Sequence, residues 1–467
     1  MKNLKRPNQS ELDAMSHADL CALIMQLFDL LESIESRLVK VEKNSKNSSK
    51  PPSSDGLKKG AAEPRQVGEK PTGGQKGHQG VTRMMVENPD VIEALYPIAN
   101  ICECGATLDK ESASIKERRQ QIEIPQPITI TTEYRKMEVQ CQCGRVHSGD
   151  FPLNVTRNVS FGARLKSYCV GLTHGHFVAL ERVCEIMNDQ YGVKPSGGSV
   201  QKWILQAANN LAADYVVNRE ALIQAPSAHF DESGLRCNGK TEWLHVATTQ
   251  THVHYSVHES RGHFAMDAAG ILPNFKGIAI HDHWKSYWRY NDCEHALCNA
   301  HHLRELRYCE QLTGESWAIN LRKLLVEGKE KVAQAKAEGK NHLEQIIIDD
   351  LLSRYDEQIK TGLESFPVQP HEDGKKGRQK QHEATNLLVR LRDFKTEVWR
   401  FITDWHVPFD NNQAERMVRP VKVKIKVIGG FRSVGGSEAF CVIRSIWETK
   451  KLNGINPFDT LRGVFAG

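Results

Sequence analysis

The sequence contains no run of about 18 apolar residues, so it offers no segment able to cross a membrane as a helix. Its first residues, Met1-Lys2-Asn3-Leu4-Lys5-Arg6-Pro7, carry charge with no apolar stretch behind it, which is unlike a secretory leader. A large excess of one charge is also missing. The 62 Lys and Arg stand against 57 Asp and Glu, a net charge of +5 that is too mild to mark a nucleic-acid binder, so the placement of charge matters more. Aromatic residues are only 7% of the chain, while hydrophobic content of 39% and charged content of 25% are ordinary for a soluble globular protein. The length of 467 residues accommodates roughly two to four domains. Twelve cysteines are spread too thinly for the disulfide framework of a small secreted domain. Without a leader, a reduced cytoplasm is the expected compartment, and paired cysteines point to metal.

What is present begins with a heptad. Residues 16–43 place Leu20, Leu27, Ile34 and Val41 at spacings of seven, with Leu23, Leu30 and Leu38 between them and no Gly or Pro. The spacing predicts a short coiled coil, and hence self-association. Residues 44–85 are rich in Ser, Pro, Gly and Lys and nearly devoid of large apolar side chains, as in Asn47–Asp55 and Gly73–Gly80. A basic disordered linker is expected there. Residues 86–155 carry two Cys-x-Cys-Gly units, Cys102-Glu103-Cys104-Gly105 and Cys141-Gln142-Cys143-Gly144, around segments expected to be strands at 121–124 and 128–139. Four thiolates satisfy tetrahedral zinc, and Gly after each pair permits a tight turn. Cys102, Cys104, Cys141 and Cys143 are the expected ligands of one structural zinc.

Residues 159–224 read as helices. One runs over 179–187, Gly192 to Ser196 breaks the pattern, and another begins near Ser199. This is the outline of a helix-turn-helix, in which Ser199, Gln201 and Lys202 would face DNA and Val200, Trp203 and Ile204 would be core. From residue 226 the pattern changes to strands: one containing Asp231, then 241–249 and 253–258, a helix over 263–272, and a buried strand over 277–284 that ends at Asp282. That order, with acids at strand ends, is the order of an RNase H-like α/β core, whose first part spans 226–302. Residues 303–403 are charged and helical and read as an insertion with a basic side (Lys375, Lys376, Arg378, Lys380, Arg390, Arg392, Lys395). The last part of the core, 404–467, opens with Val407-Pro408-Phe409-Asp410-Asn411-Asn412-Gln413-Ala414-Glu415-Arg416. Pro408 disfavours helix before it, and Asp410 suits a helix N-cap, so Glu415 is presented near the start of a helix. Arg416, Arg419, Lys422, Lys424 and Lys426 follow, and glycines at 429, 430, 435 and 436 flank Arg432. Basic residues around a carboxylate suit metal-assisted work on a polyanion.

In combination these motifs, with His281-Asp282-His283-Trp284 and Ala300-His301-His302-Leu303-Arg304-Glu305, resemble the insertion sequence 66 family of transposases over nearly the whole chain. The resemblance implies a multidomain α+β protein: an N-terminal coiled coil, a zinc-ribbon-like domain, a helix-turn-helix and an RNase H-like catalytic core with a helical insertion. It implies a DDE transposase that binds insertion-sequence ends and cleaves and transfers DNA strands, with Asp231, Asp282 and Glu415 as the catalytic triad. Two magnesium ions suit three carboxylates, because magnesium prefers hard oxygen ligands. Ser199, Gln201, Lys202, Arg416, Arg419 and Arg432 are the expected DNA contacts. The expected partners are transposon-end and target DNA, further copies of the chain, and helper proteins encoded by the same element; the expected place is the bacterial cytoplasm at the nucleoid. Two rival readings are a domesticated DNA-binding regulator without catalysis and a metal-dependent nuclease without strand transfer.

The cysteine pattern makes a direct prediction. Substituting Cys102→Ser together with Cys141→Ser lowers the zinc content of the purified protein by about one equivalent, by the four-thiolate rule; unchanged zinc by elemental analysis refutes the assignment.

Overall fold

The computed structural model describes a few residues between 15 and 28, and residues 84–466 apart from 99, 125–127, 153–154, 156 and 371–378. Residues 29–43 of the expected coil, and nearly all of the expected linker, lie outside the described residues. The described residues from His17 to Phe28 are helical, started by Ser16, whose Oγ accepts the Asp19 N–H at 3.2 Å. Ile24, Met25, Leu27 and Phe28 on this helix are exposed.

The chain forms two compact units, Lys58–Ile130 and the remainder. In the smaller unit, Gln120 pairs through its side-chain amide with both backbone groups of Val86, at 2.8 and 2.7 Å. The Cys102–Ala106 turn is closed by Gly105 N–H to Cys102 O and Cys102 N–H to Ala106 O, both at 2.8 Å, with Gly105 at φ +88°. The other unit repeats this turn at Cys141–Arg145, with the same two bonds and Gly144 at φ +84°. That second turn joins β1 (Glu138–Gln140) to β2 (Val146–Ser148), an antiparallel hairpin. Both turns need a left-handed residue that glycine adopts without strain. The first thiol of each pair, Cys102 and Cys141, is held below the usual cysteine range by hydrogen bonds from the backbone and thiol of the second. The strands expected over 121–124 and 128–139 are strand only at 138–140. Ile122, Ile124, Ile128 and Ile130 are exposed, and no described strand pairs with them to satisfy the extended backbone.

The helical segment is α1 (Ala163–Val170), a π turn (Gly171–Gly175), α2 (Leu180–Tyr191), α3 (Gly197–Asn210) and α4 (Ala212–Ile223). Helix α2 ends on Gly192 at φ +64°, and α3 starts on Ser196, whose Oγ accepts the Ser199 N–H at 3.1 Å. Val200, Trp203 and Ile204 are buried as their helical spacing requires.

Next comes a mixed five-stranded sheet: β3 (Ser227–Cys237), β4 (Lys240–Thr248), β5 (Val253–His258), β6 (Ile278–His281) and β7 (Glu294–Leu297), in the order β5-β4-β3-β6-β7. The first three form an antiparallel meander, while β6 and β7 run parallel to β3. Asn238 and Gly239, both at positive φ, make the β3–β4 turn, as Asn-Gly favours. Helix α5 (His263–Ala269) stops at Gly270, earlier than the 272 expected, because Gly270 takes the left-handed cap position. The α+β arrangement is consistent with an RNase H-like core.

From β7 the chain enters α6 (Asn299–Thr313), α7 (Ser316–Ala337), α8 (Gln345–Ser365), α9 (Glu383–Asp393) and α10 (Lys395–Thr403). These helices pack around the fully buried Trp317, Leu321, Tyr355 and Leu388 in a core that runs on into β6 and β7 through Ile278, Ile280, Ala296 and Leu297, and Tyr355 Oη donates to Leu391 O at 2.9 Å. The insertion returns beside its point of departure: Asn299 Nδ2 donates to Val398 O at 2.9 Å, and Arg400 Nε donates to His295 O at 2.8 Å. The basic side expected on this insertion is largely neutralised. Arg390 pairs with Glu305 at 2.5 Å, Lys395 with Asp356 at 2.7 Å and Arg392 with Asp393 at 2.8 Å, while residues 375, 376 and 378 lie outside the described residues.

Three helices close the chain: α11 (Asn412–Ile428), α12 (Val434–Leu452) and α13 (Pro457–Ala466). The last two pack on α1–α3: Ile443, Trp447, Leu461 and Phe465 share one core with Val183, Val200 and Trp203. The helical segment is therefore welded to the C-terminus rather than hung as a separate bead. Helix α13, which the sequence did not suggest, is short and opens on a proline, a common first helical residue that also reads as a break.

Gly277, just before β6, makes a close approach: a Cβ there would lie 2.5 Å from Ala225 O and 2.6 Å from Pro226 O. Because the obstacle is backbone, Gly277→Ala is expected to cost about 1–3 kcal/mol in denaturant unfolding. Gly435→Ala, which meets open space, is the control.

Candidate active site

Strand periodicity decides which way the acids of β3 face. His229 and Asp231 share one face, and Phe230 and Glu232 the other. The parallel register pairs His229 with Ile280, so continuing it by two residues sets Asp231 beside Asp282, just past the end of β6. Asp231 Oδ1 accepts the Glu232 N–H at 2.8 Å, and Asp282 Oδ1 accepts the Trp284 N–H at 2.9 Å.

Glu415 arrives on the first turn of α11, and Asn411 fixes where that helix begins. Asn411 Nδ2 donates to Phe230 O at 2.7 Å, its Oδ1 pairs with His229 Nδ1 at 2.8 Å, and its backbone N–H points at Cys298 Sγ at 3.1 Å. Gln413 adds a second tie, with Nε2 donating to Thr249 O and Oε1 accepting from Gln250 at 2.9 Å. The cap differs by one residue from the sequence expectation. The helix starts at Asn412 with Asn411 in the cap position, while Asp410 Oδ1 accepts the Asn412 N–H at 3.1 Å from one residue further out.

The three acids feel one another. The Asp231 carboxyl is held well above the usual carboxylate range, first by burial and then by the negative charges of Glu232, Asp282 and Glu415. Burial likewise raises Asp282, which the cations Arg261 and Arg390 partly offset. Glu415 Oε1 is buried without a hydrogen-bond partner, 3.8 Å from Arg304 Nη2 and 4.0 Å from His301 Nδ1. A cluster of desolvated carboxyls with an oxygen left unbonded fits a hard divalent cation, which supplies the missing positive charge and takes oxygen ligands.

Sequence reasoning missed a fourth acid. Glu232 has a side chain only 2% exposed, gripped by Arg261 at 3.1 and 2.7 Å and by Tyr287 Oη at 2.7 Å. Arg261 in turn stacks on Trp284 and Trp243, 4.3 and 5.0 Å from the ring centres. The adjacent Asp-Glu pair was the only signal; its partner Arg261 sits in a loop 29 residues on. The histidines near the acids are neutral. Burial takes His281 down to about 3 and His283 and His301 to about 4. His281 Nε2 pairs with His295 at 2.9 Å, and His302 Nδ1 with Asn299 at 2.9 Å.

Among the expected DNA contacts, Gln201 and Lys202 are exposed on α3, whereas the Ser199 hydroxyl pairs with Ser196 Oγ at 2.9 Å in the helix cap. Arg416, Arg419 and Arg432 are exposed. Lys424 leaves the basic series: it is buried, donates to Thr173 O at 2.8 Å, and burial lowers its amine to about 8.

Two family models match. The one described as "Transposase IS66 family" covers residues 158–439, and one described as a family of unknown function, DUF6444, covers residues 4–84. A curated relative, uncharacterized protein y4qI of Sinorhizobium fredii (strain NBRC 101917 / NGR234), is 25% identical over 306 residues, 58% of this chain and 53% of the relative. The chain thus spans about half the length of that relative.

The raised Asp231 carboxyl has a thermodynamic sign. Its folded value exceeds the unfolded value near 4, so its contribution is full below about pH 4 and is lost as pH rises through the raised folded value. In metal-free protein the melting temperature should fall over that window, and magnesium should restore it most at the alkaline end. Asp231→Asn should flatten both trends; a magnesium effect equal in wild type and variant refutes the assignment.

Proposed function

The chain belongs to the IS66 family of transposases, whose model matches more than half of it, and on that premise we propose that it binds insertion-sequence ends and cuts and transfers DNA strands at Asp231, Asp282 and Glu415. The observation that carries this reading is the shared electrostatics of the three acids: Asp231 feels both Asp282 and Glu415, which come from distant parts of the chain. A pair of bound magnesium ions would activate the attacking oxygen and stabilise the leaving oxygen of the phosphodiester. Asp231, on the central strand and next to both partners, is suited to be the shared ligand, with Asp282 and Glu415 each completing one ion. The residues around them hold this arrangement. Asn411 fixes the approach of Glu415, and Arg261 with Tyr287 keeps Glu232 turned away on the opposite face of β3. Water would make the first cut and leave a 3′-hydroxyl, which would then attack target DNA.

Helices α2 and α3 would dock on the ends as a helix-turn-helix, with Gln201 and Lys202 outward, and the exposed Arg416, Arg419 and Arg432 would meet phosphates beside the acids. Each Cys-x-Cys-Gly turn, with its first thiol already acidic, suits structural zinc. Residues 16–43 would assemble copies of the chain, exposed apolar side chains on that helix being available for a partner helix. Among the described residues no helix is long and apolar enough to cross a membrane.

Asp231→Asn, Asp282→Asn and Glu415→Gln should each abolish magnesium-dependent cleavage of end-bearing DNA and leave binding to the ends largely intact. Asp410→Asn should be milder, since Asn can make the same bond to the Asn412 N–H. Full cleavage by all four variants refutes the mechanism. Supplying pre-cut ends and scoring strand joining separates a transposase from a nuclease that only cuts.

A further inference from the structure

The beginning of α6 carries a second set of potential metal ligands. Cys298 Sγ, a ring nitrogen of His301 and a carboxylate oxygen of Glu415 all lie within 4.8 Å of one another. Cys298 directly follows β7, His301 sits on the first turn of α6, and Glu415 faces both from α11. His301 Nδ1 and Glu415 Oε1 are buried atoms with no hydrogen-bond partner. They are 4.0 Å apart, too far for a hydrogen bond and compatible with two ligands that each stand about 2.0–2.3 Å from one ion. Leaving both polar atoms buried and unpaired is costly, so the arrangement calls for something between them. Arg304 is the rival: its guanidinium lies 3.8 Å from the same Glu415 oxygen, also beyond hydrogen-bond reach.

We propose that Cys298, His301 and Glu415 form a binding site for a soft divalent cation of the zinc type, and that this site shares Glu415 with the aspartate pair. The donor chemistry separates the two sites. Sulfur, imidazole nitrogen and a single carboxylate favour zinc or cobalt, whereas Asp231 and Asp282 offer only hard oxygens. The Asn411 N–H directed at Cys298 Sγ at 3.1 Å is the kind of outer contact that steadies a sulfur ligand. Glu415 cannot serve both sites fully at once, so a cation held by Cys298 and His301 draws it from the aspartates. The sharing rests on reading Glu415 as a catalytic ligand; the binding itself does not.

The test is cobalt(II) uptake by the full-length chain, followed by thiolate-to-metal absorption. The knuckle cysteines contribute their own signal, so the comparison is with Cys298→Ser, His301→Gln and Glu415→Gln, each verified by thermal melting. Each variant should lose one equivalent of cobalt or bind it at least ten-fold more weakly, and Cys298→Ser should also lose the absorption due to one sulfur. Should Cys298→Ser fail to fold, His301→Gln, which leaves Glu415 and both aspartates in place, decides. Wild-type uptake in the folded variants overturns the site, and wild-type uptake in Glu415→Gln alone overturns the shared ligand. Because the readout is metal uptake, a failure of DNA cleavage would count against the catalytic reading and leave this result standing.

Discussion

Three hydrogen bonds on Asn411 hold the arrangement together. Its amide spans from the Phe230 carbonyl to the His229 ring on β3, and its backbone meets Cys298 at the exit of β7. One buried residue therefore joins the middle of the sheet, its far edge and the start of the helix that bears Glu415. Buried amides of this kind are costly to leave unsatisfied, so the three elements stay together or separate together. The distance from Glu415 to the aspartates is set here and not by the long chain between them.

The same buried setting explains the electrostatics. Four carboxyls gather in this largely buried setting, and among the described residues only Glu232 has an arginine within hydrogen-bond distance, Arg304 standing 3.8 Å from Glu415. Burial raises the carboxyls of Asp231 and Asp282, and neighbouring negative charge raises Asp231 further, a balance that a divalent cation would relieve. Arg261 and Tyr287 give Glu232 partners on the other face of the strand, although its charge still raises Asp231.

Much of this was legible in the chain. The strand containing Asp231, the two strands after it and the buried run ending at Asp282 follow from local pattern, and the insertion follows from its charged, helical character. The misreadings share a cause, namely that the deciding partner is remote in sequence. Lys424 looks like one more basic residue until Thr173 and the helices around it bury it. Glu232 looks like a neighbour of Asp231 until Arg261 claims it. The strands expected around Ile122, Ile124, Ile128 and Ile130 have no pairing strand among the described residues. Helix α13 gains its reason from α1 and the Val200–Trp203 face of α3, which it covers from some 250 residues or more later in the chain.

The way the insertion closes on itself has a consequence for how such chains can diverge. Because Asn299 meets Val398 and Arg400 meets His295, the hundred-odd residues between enter and leave through one narrow gate, and their apolar interior runs on into β6 and β7. The contour length of that cassette does not set the separation of its two ends, which the gate contacts fix. Loop-closure entropy grows only with the logarithm of length, so helices can be added to or trimmed from it at little cost to the gate. Spacing between Asp282 and Glu415 is then a poor yardstick of kinship among chains of this architecture, and the residues at the gate are a better one.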